Sequence, residues 1–260
     1  MYQHIDFSQN GPVATVTLNR PAVFNALNNG IKTELRTVFE QLHNAAGVRV
    51  VVLTGAGNAF CSGQDLKAAQ TEMDGKPYSE AIRTYYNPLI LAMRRLNKPI
   101  VCRLNGIAAG AGCSLALACD LIVASEEAYL SELFVGIGLI MDSGSTYFLP
   151  RIVGRLKAFE LATMGTRVGA SEALLLGLVN EVVPHDQLDQ AVQRYTDHYA
   201  NAPTVAIAVM KEMLNQAGQL SLEQMLELEA QNQDIAATTA DHAEGIRAFT
   251  EKRKPIFNGN

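Results

Sequence analysis

The sequence is poor in the features that mark several specialised chemistries. Its four cysteines, Cys61, Cys102, Cys113 and Cys119, never fall into a Cys-x-x-Cys spacing. That argues against a metal ribbon or a dithiol redox centre and predicts a reduced, cytoplasmic setting. No apolar run reaches the roughly 18–20 residues of a membrane span, and Met1-Tyr2-Gln3-His4 lacks the charge-then-apolar layout of a secretory leader. Basic residues are in deficit, 21 Lys and Arg against 26 Asp and Glu for a net charge of −5. With no dominant basic patch, a nucleic-acid partner is not expected. Neither phosphate-loop signature is present: there is no Gly-x-x-x-x-Gly-Lys-Ser/Thr, and no Gly-x-Gly-x-x-Gly that opens a helix with an acidic residue beyond. The five histidines are scattered in polar surroundings and read as surface or structural residues. Tryptophan is absent.

What remains describes a globular chain. Its 260 residues are 48% hydrophobic and 18% charged, enough for a sizeable core. Apolar runs at Val13–Leu18, Val48–Thr54, Ile100–Leu104, Leu121–Ala124, Ala128–Leu130 and Val179–Val183 read as strands. Between them, helices are expected over about 31–45, with Leu35, Val38, Phe39 and Leu42 on one face, and over 81–96, 156–164 and 171–176, the last capped by Ser171. Residues 67–78, with Gly75, Lys76 and Pro77, read as a loop. From about residue 187 onward the pattern is helical only: 188–200, 204–217, 222–238 and 242–252. Ser221 opens the third of these as a capping box would, with Glu223 one residue early for the role. The change near residue 200 divides an α/β core, 1–200, from a helical segment, 201–260.

Two glycine-rich corners stand out. Ile100–Leu104 leads into Asn105-Gly106-Ile107-Ala108-Ala109-Gly110-Ala111-Gly112-Cys113, followed by a short helix of small residues and closed by Asp120. Val50–Thr54 leads into Gly55-Ala56-Gly57-Asn58-Ala59-Phe60-Cys61-Ser62-Gly63-Gln64-Asp65-Leu66. So few bulky side chains between a strand and a helix let another group approach the backbone. The unpaired first N–H groups of a helix suit an anion or oxyanion; tight packing alone would demand the same small residues. The repeated strand–glycine–helix pattern points to a stacked or spiral core.

These residues resemble the crotonase superfamily, the enoyl-CoA hydratase/isomerase family. The matching pieces are Asn25-Ala26-Leu27-Asn28, Phe60–Lys67, Asn105-Gly106 with Ala109–Cys113, Cys119-Asp120, Gly138-Leu139-Ile140, Ser143–Thr146, Leu149-Pro150-Arg151, Ala173–Leu178 and Glu244–Pro255. They run in order over nearly the whole chain. The resemblance implies a spiral of ββα units with a C-terminal helical trimerisation region, assembled as a homotrimer or a homohexamer. It implies an acyl-CoA thioester as substrate, with no separate cofactor, no metal, and neither a membrane nor a nucleic-acid partner. By position, the backbone N–H groups of Gln64 and Ala111 correspond to the pair that grips the thioester oxygen, with Ala111 standing where the family usually has glycine. The loop Cys61, Ser62, Asp65, Leu66 and Lys67 corresponds to the one that holds the CoA adenine through its backbone. Phe249 and Lys252 resemble residues that reach a CoA bound partly by a neighbouring subunit. The family often carries a basic residue just before Asn-Ala-Leu, where this chain has Val23-Phe24.

The side chains at the family's catalytic positions then narrow the reaction. Hydratases of the family hold a water between two carboxylates; those positions are Ser114 and Phe134 here. Glu132 is two residues away from the second and is expected to be a solvated or paired carboxylate. Asp142 is the one acid left in a site position. It resembles the acid of Δ3,Δ2-enoyl-CoA isomerases and of the ring-epoxide isomerase of phenylacetyl-CoA, the latter being most similar over Gly138–Thr146. A dehalogenase with Asp at this place also needs a His at what is Asn87 here and a Trp at Phe134, and this chain has no Trp. The resemblance therefore implies a double-bond or ring-epoxide isomerase in which Asp142 shuttles a proton. A hydratase, hydrolase or lyase of the same superfamily and a catalytically silent acyl-CoA binder are the alternatives. From the residues alone, Asp142 serves equally well as a turn or helix-cap residue beside Ser143 and Thr146.

Overall fold

The computed structural model describes residues 2–73 and 75–260. In chain order the strands are β1 (Ile5–Asn10), β2 (Val13–Leu18), β3 (Val50–Gly55), β4 (Ala59–Cys61), β5 (Ile100–Leu104), β6 (Ile107–Ala109), β7 (Leu121–Ser125), β8 (Tyr129–Ser131), β9 (Val168–Gly169) and β10 (Glu181–Val183). They pair into a six-stranded sheet of order β1-β2-β3-β5-β7-β10 and a four-stranded sheet of order β4-β6-β8-β9. The pairs β1–β2 and β8–β9 are antiparallel, whereas β2 to β10 and β4 to β8 run parallel. Three times in succession (β3 to β4, β5 to β6, β7 to β8) the chain leaves the larger sheet, turns a short corner and enters the smaller one. Each pass adds a strand to both sheets, which is the ββα spiral expected from the sequence.

The helices are α1 (Asn29–His43), α2 (Leu66–Met73), α3 (Tyr78–Ala81), α4 (Asn87–Arg95), α5 (Ala111–Leu117), α6 (Ser145–Met164), α7 (Ala170–Leu175), α8 (Leu188–Ala200), α9 (Thr204–Gln216), α10 (Leu222–Ala237) and α11 (Ala240–Thr250). The larger sheet is covered on both faces, which is why β3 is apolar without alternation. Val51, Leu53, Cys102 and Leu104 share one core with Ile31, Leu35, Phe39 and Met93 from α1 and α4. Val50, Val52, Val101 and Val123 meet Leu188, Ala191 and Val192 of α8 on the other face. The motif asparagines brace the corners between the sheets. Asn25 Nδ2 donates to Ala56 O (2.9 Å) and Ala59 O (2.8 Å), and Asn105 Nδ2 donates to Gly57 O (2.8 Å). They bond main-chain carbonyls at those corners.

Several local expectations need correction. Residues 66–73 are helical, not loop. The Asp65 carboxylate accepts from Ala68 N (3.1 Å) as an N-terminal cap would, and Gly75-Lys76-Pro77 follows the helix instead of dissolving it. The helix expected over 81–96 contains a π-helical turn, Ile82–Tyr86. Pro88 has no N–H for a bond four residues back, and the Asn87 N–H instead reaches Ile82 O, five residues back. α6 begins at Ser145, eleven residues early, and breaks at Gly154, where φ 76 and ψ 162 leave the helical region. Ser171 is not a cap; that role falls to Gly169, without a side-chain bond. The capping box at Ser221 is closed by Gln224, not Glu223.

Candidate active site

The two glycine corners meet. A Cβ on Gly63, whose φ is +95, would lie 2.7 Å from Ala109 O, and one on Gly112 would lie 2.2 Å from Cys61 O. Only glycine lets the end of β4 and the start of α5 come this close. Gln64 and Ala111 consequently line one cavity of about 410 Å³, together with Asp142, a size suited to a small-molecule acyl group. Among the described residues, neither the Gln64 nor the Ala111 amide N–H has a hydrogen-bond partner. Ala111 opens α5, where such N–H groups are unpaired and carry the positive end of the helix dipole.

Among the described residues, three carboxylates line the cavity: Glu72, Glu80 and Asp142. Glu72 accepts from Asn29 N (2.9 Å) at the start of α1, and Glu80 pairs with Lys76 (3.1 Å) where both are exposed. Asp142 Oδ1 accepts from Ser143 Oγ (2.8 Å). Asp142 is not the helix cap: Gly144 is, and no side chain caps α6. The turn that holds Asp142 is left-handed at Ser143 (φ 53) and Gly144 (φ 87). Burial raises the Asp142 carboxyl above its ordinary range, opposed by the Ser143 hydroxyl and by the charge of Lys32.

Lys32 was not singled out from the sequence. It is 1% exposed, lines the same cavity, and donates to Gln64 Oε1 at 3.2 Å. Its Nζ lies 4.2 Å from the Tyr86 ring centroid and 5.4 Å from that of Tyr85, both presented by the π-helical turn, and the Tyr86 hydroxyl donates to the same Gln64 oxygen. Burial lowers the Lys32 ammonium to about 8, with Glu72 and Asp142 pulling the other way. The signal was available: position 32 stands three residues before Leu35 and seven before Phe39, on the apolar face of α1, where a charge is out of place.

Of the two hydratase positions, Phe134 lines the cavity, whereas Ser114 is fully buried and outside the lining. Glu132 departs from expectation. It is neither solvated nor ion-paired among the described residues but 3% exposed, with Oε1 bonded to Ser145 Oγ (2.7 Å).

The five residues of the expected CoA loop do not share one setting. Ser62 and Leu66 line the cavity. Cys61 is fully buried in β4 with its thiol donating to Asn25 O (3.2 Å), and Lys67 is exposed. The Asp65 carboxylate is held low by the Ala68 N–H and by Arg20, which pairs with it at 2.9 Å and also donates to Ala26 O. Arg20, five residues before Asn25, thus ties the two segments together and was missed by a search confined to Val23-Phe24. Phe249 and Lys252 lie on α11 and just beyond it, away from the cavity lining; Phe249 is 87% exposed.

Comparison with known proteins places this arrangement. The family model described as "Enoyl-CoA hydratase/isomerase" matches residues 8–260. The 1,2-epoxyphenylacetyl-CoA isomerase of Escherichia coli (strain K12) is 37% identical over 249 residues, covering 95% of both chains. A protein of Rhodobacter capsulatus named "Probable enoyl-CoA hydratase" is 39% identical over 259 residues, covering 99% of both. The crystal structure of an enoyl-CoA hydratase/isomerase from Cupriavidus metallidurans CH34 superposes with a TM-score of 0.93 at 32% identity, covering 100% of this chain and 97% of that one.

Proposed function

Because the chain belongs to the enoyl-CoA hydratase/isomerase family, we propose that within it this enzyme is an acyl-CoA isomerase using Asp142 as a shuttling base and acid. Relatives of similar identity carry both hydratase and isomerase names, so the side chains must decide. The observation that carries the reading is that Asp142 lines the cavity beside Gln64 and Ala111, while the two positions of the hydratase acids hold Ser114 and Phe134. Glu72 and Glu80 are committed to Asn29 N and Lys76.

The chemistry is a proton transfer. A C–H alpha to a thioester is a weak acid, and its enolate forms only when the oxygen is stabilised. The Gln64 and Ala111 N–H groups take that role. Asp142 removes a proton from C2 of a 3-enoyl-CoA, the electron pair moves into the dienolate, and the same carboxyl returns the proton at C4. The C3=C4 bond becomes C2=C3 and no atom is gained or lost. Raised by burial, Asp142 is a stronger base than an exposed carboxylate and a competent acid once protonated. The acyl-CoA is the substrate and the step calls for no further cofactor. Isomerisation of a ring epoxide of phenylacetyl-CoA would use the same oxyanion donors and the same acid.

For binding, the backbone of Cys61, Ser62, Asp65, Leu66 and Lys67 is assigned to the adenine end of CoA, with Phe249 and Lys252 reaching it from a neighbouring copy. A homotrimer or homohexamer is supported by α10, which buries no residue in the single chain and exposes Leu222 and Leu226. The test is incubation with a 3-enoyl-CoA, following the ultraviolet absorbance of the conjugated thioester, for wild type and Asp142→Asn. Conjugation by the wild type and its collapse in the variant support the reading. Undiminished turnover in the variant removes Asp142 from its role; a hydrated product restores the hydratase alternative; and binding without turnover of any enoyl-CoA favours a silent binder.

A further inference from the structure

Glu132 is the buried acid that the proposed chemistry does not use. It follows β8 directly, and its carboxyl meets residues from two helices, α5 and α6. Oε1 lies 2.7 Å from Ser145 Oγ at the start of α6. The Cys113 thiol of α5 faces it, and Oε2 has no hydrogen-bond partner among the described residues. No Lys, Arg or His forms an ion pair with it among those residues. Ser145 Oγ in turn lies 2.7 Å from Ser114 Oγ, and Ser114 Oγ lies 3.2 Å from the main-chain O of Asp142 and 3.4 Å from that of Gly110.

Counting protons decides how this chain is wired. Each serine hydroxyl has one proton to give, and a carbonyl has none. With Glu132 ionised, Ser145 gives its proton to the carboxylate, and the single Ser114 proton must serve either the 2.7 Å contact with Ser145 or the Asp142 carbonyl, so one of the two goes without. With Glu132 neutral there are three protons for three contacts: Glu132 donates to Ser145, Ser145 to Ser114, and Ser114 to Asp142 O. Chains that run in one direction reinforce each other in a low-dielectric interior, and an unpaired buried carboxylate is costly.

We infer that Glu132 is a positioning residue for Asp142: as the neutral acid it heads a hydrogen-bond chain through Ser145 and Ser114 that fixes the main-chain carbonyl of the Asp142 turn. The inference rests on the proposed role of Asp142 for its catalytic consequence, but not for the chain itself. The turn needs such a hold, since Ser143 and Gly144 are both left-handed and, among the described residues, the Asp142 carbonyl otherwise accepts only from Ser145 N (3.1 Å). Gly110 O, the alternative acceptor, immediately precedes Ala111, so the same serine touches both sides of the cavity.

The groups facing Glu132 set its proton affinity. Burial pushes it up to about 7; Ser145 and Cys113 oppose the shift, and the Asp142 charge adds to it. The Cys113 thiol is itself raised well above its ordinary value by burial and by Glu132, so it stays protonated. Across neutral pH, therefore, the chain loses its third proton and the hold on Asp142 weakens.

The test uses the full chain with Glu132→Gln, Glu132→Leu and Ser145→Ala. In wild type, kcat with a 3-enoyl-CoA declines on a basic limb near 7. Glutamine, whose amide donates to Ser145 at every pH, restores turnover and abolishes that limb. Leucine and Ser145→Ala each lower kcat about tenfold, near the worth of one hydrogen bond, with KM little changed. A basic limb that survives in Glu132→Gln, or an unchanged kcat in Glu132→Leu, overturns the inference. A second readout is independent of turnover: infrared difference spectra at about pH 6 contain a protonated-carboxyl stretch that Glu132→Gln removes. Its absence overturns the chain whatever the activity. Its presence in a protein that isomerises no enoyl-CoA upholds the chain and faults the isomerase reading instead.

Discussion

Asp120 and Asp142 stand on either side of the same small-residue helix region and are treated in opposite ways. Asp120, just past the end of α5, accepts from Arg94 (2.9 Å), from Lys211 of α9 (2.7 Å) and from Ile100 N (2.8 Å). Lys211 is buried and also donates to Met93 O (3.3 Å) and Lys98 O (3.0 Å). Both oxygens of that carboxylate are committed to the fold. Among the described residues the Asp142 carboxylate accepts only from the hydroxyl of its neighbour, with Lys32 close enough to be felt but not paired. The contrast separates two uses of a partly buried charge. A structural acid is satisfied completely, since an incomplete set would cost several kcal/mol. An acid held over a cavity is left short of partners, and the shortfall is what a reacting C–H can exploit.

The comparison predicts separable losses. Asp142→Asn should lower isomerase turnover by roughly 10³-fold or more, the range for removing a general base, while thermal stability holds or rises, because a carboxylate raised by burial contributes no stability in its charged form. Asp120→Ala should do the reverse. Leaving Lys211 and Arg94 without their anion should cost about 3–5 kcal/mol, read by denaturant unfolding, with turnover per folded molecule retained. A variant of Asp120 that stays stable but loses turnover would dissolve the distinction. Gly63→Ala sharpens it, because it touches no charge. The new Cβ collides with Ala109 O and sits at φ +95, which displaces the neighbouring Gln64 amide. Turnover should fall about 10²-fold, as for a lost oxyanion donor, with KM moving less than kcat. An undisturbed kcat would show that the Gln64 N–H is not one of the donors.

The same contrast explains what the sequence could and could not reveal. The long parallel strands were legible because a run such as Val50–Thr54 must be buried on both faces to exist. Strands β4, β6, β8 and β9 were not separable as a second sheet, since two or three residues carry no period. The glycine corners were legible because the backbone there advertises close approach, but Gln64, Ala111 and Asp142 were picked out through the family resemblance; the fold brings all three to one cavity. Glu132 could not be read correctly. Its burial depends on Ser145, and α6 was expected to begin only after that residue, so the partner was invisible. Arg20 owes its place to a contact across forty-five positions in the chain, which no local pattern records; for Lys32 the local pattern, a charge on the apolar face of α1, marks the residue but not its partner Gln64 thirty-two positions on. Asp120 drew notice as the residue that closes the short helix and through the family's Cys-Asp pair, but its ion-pair partner on α9 lies ninety-one residues on.

Lys32→Met gives the smallest effect and the finest test, because it changes the field around Asp142 without touching the reacting atoms. The ammonium lowers the Asp142 carboxyl, against the dominant rise from burial. Removing it should raise that carboxyl further, so the acid limb of kcat/KM, which reports ionisation of the base, moves to higher pH, with turnover on the plateau reduced by less than about tenfold. Stability should respond in a separate window. The Lys32 ammonium is lowered from 10.5 to about 8, so between those values the unfolded chain binds the proton that the folded chain has released. Wild-type stability therefore gains with rising pH across that interval relative to Lys32→Met, and the variant is the more stable of the two at neutral pH. A pair of unfolding curves taken at about pH 7 and about pH 10 measures this. If the difference between wild type and variant does not change with pH, Lys32 is not held against its charge, and its influence on Asp142 must be carried by the Gln64 hydrogen bond instead.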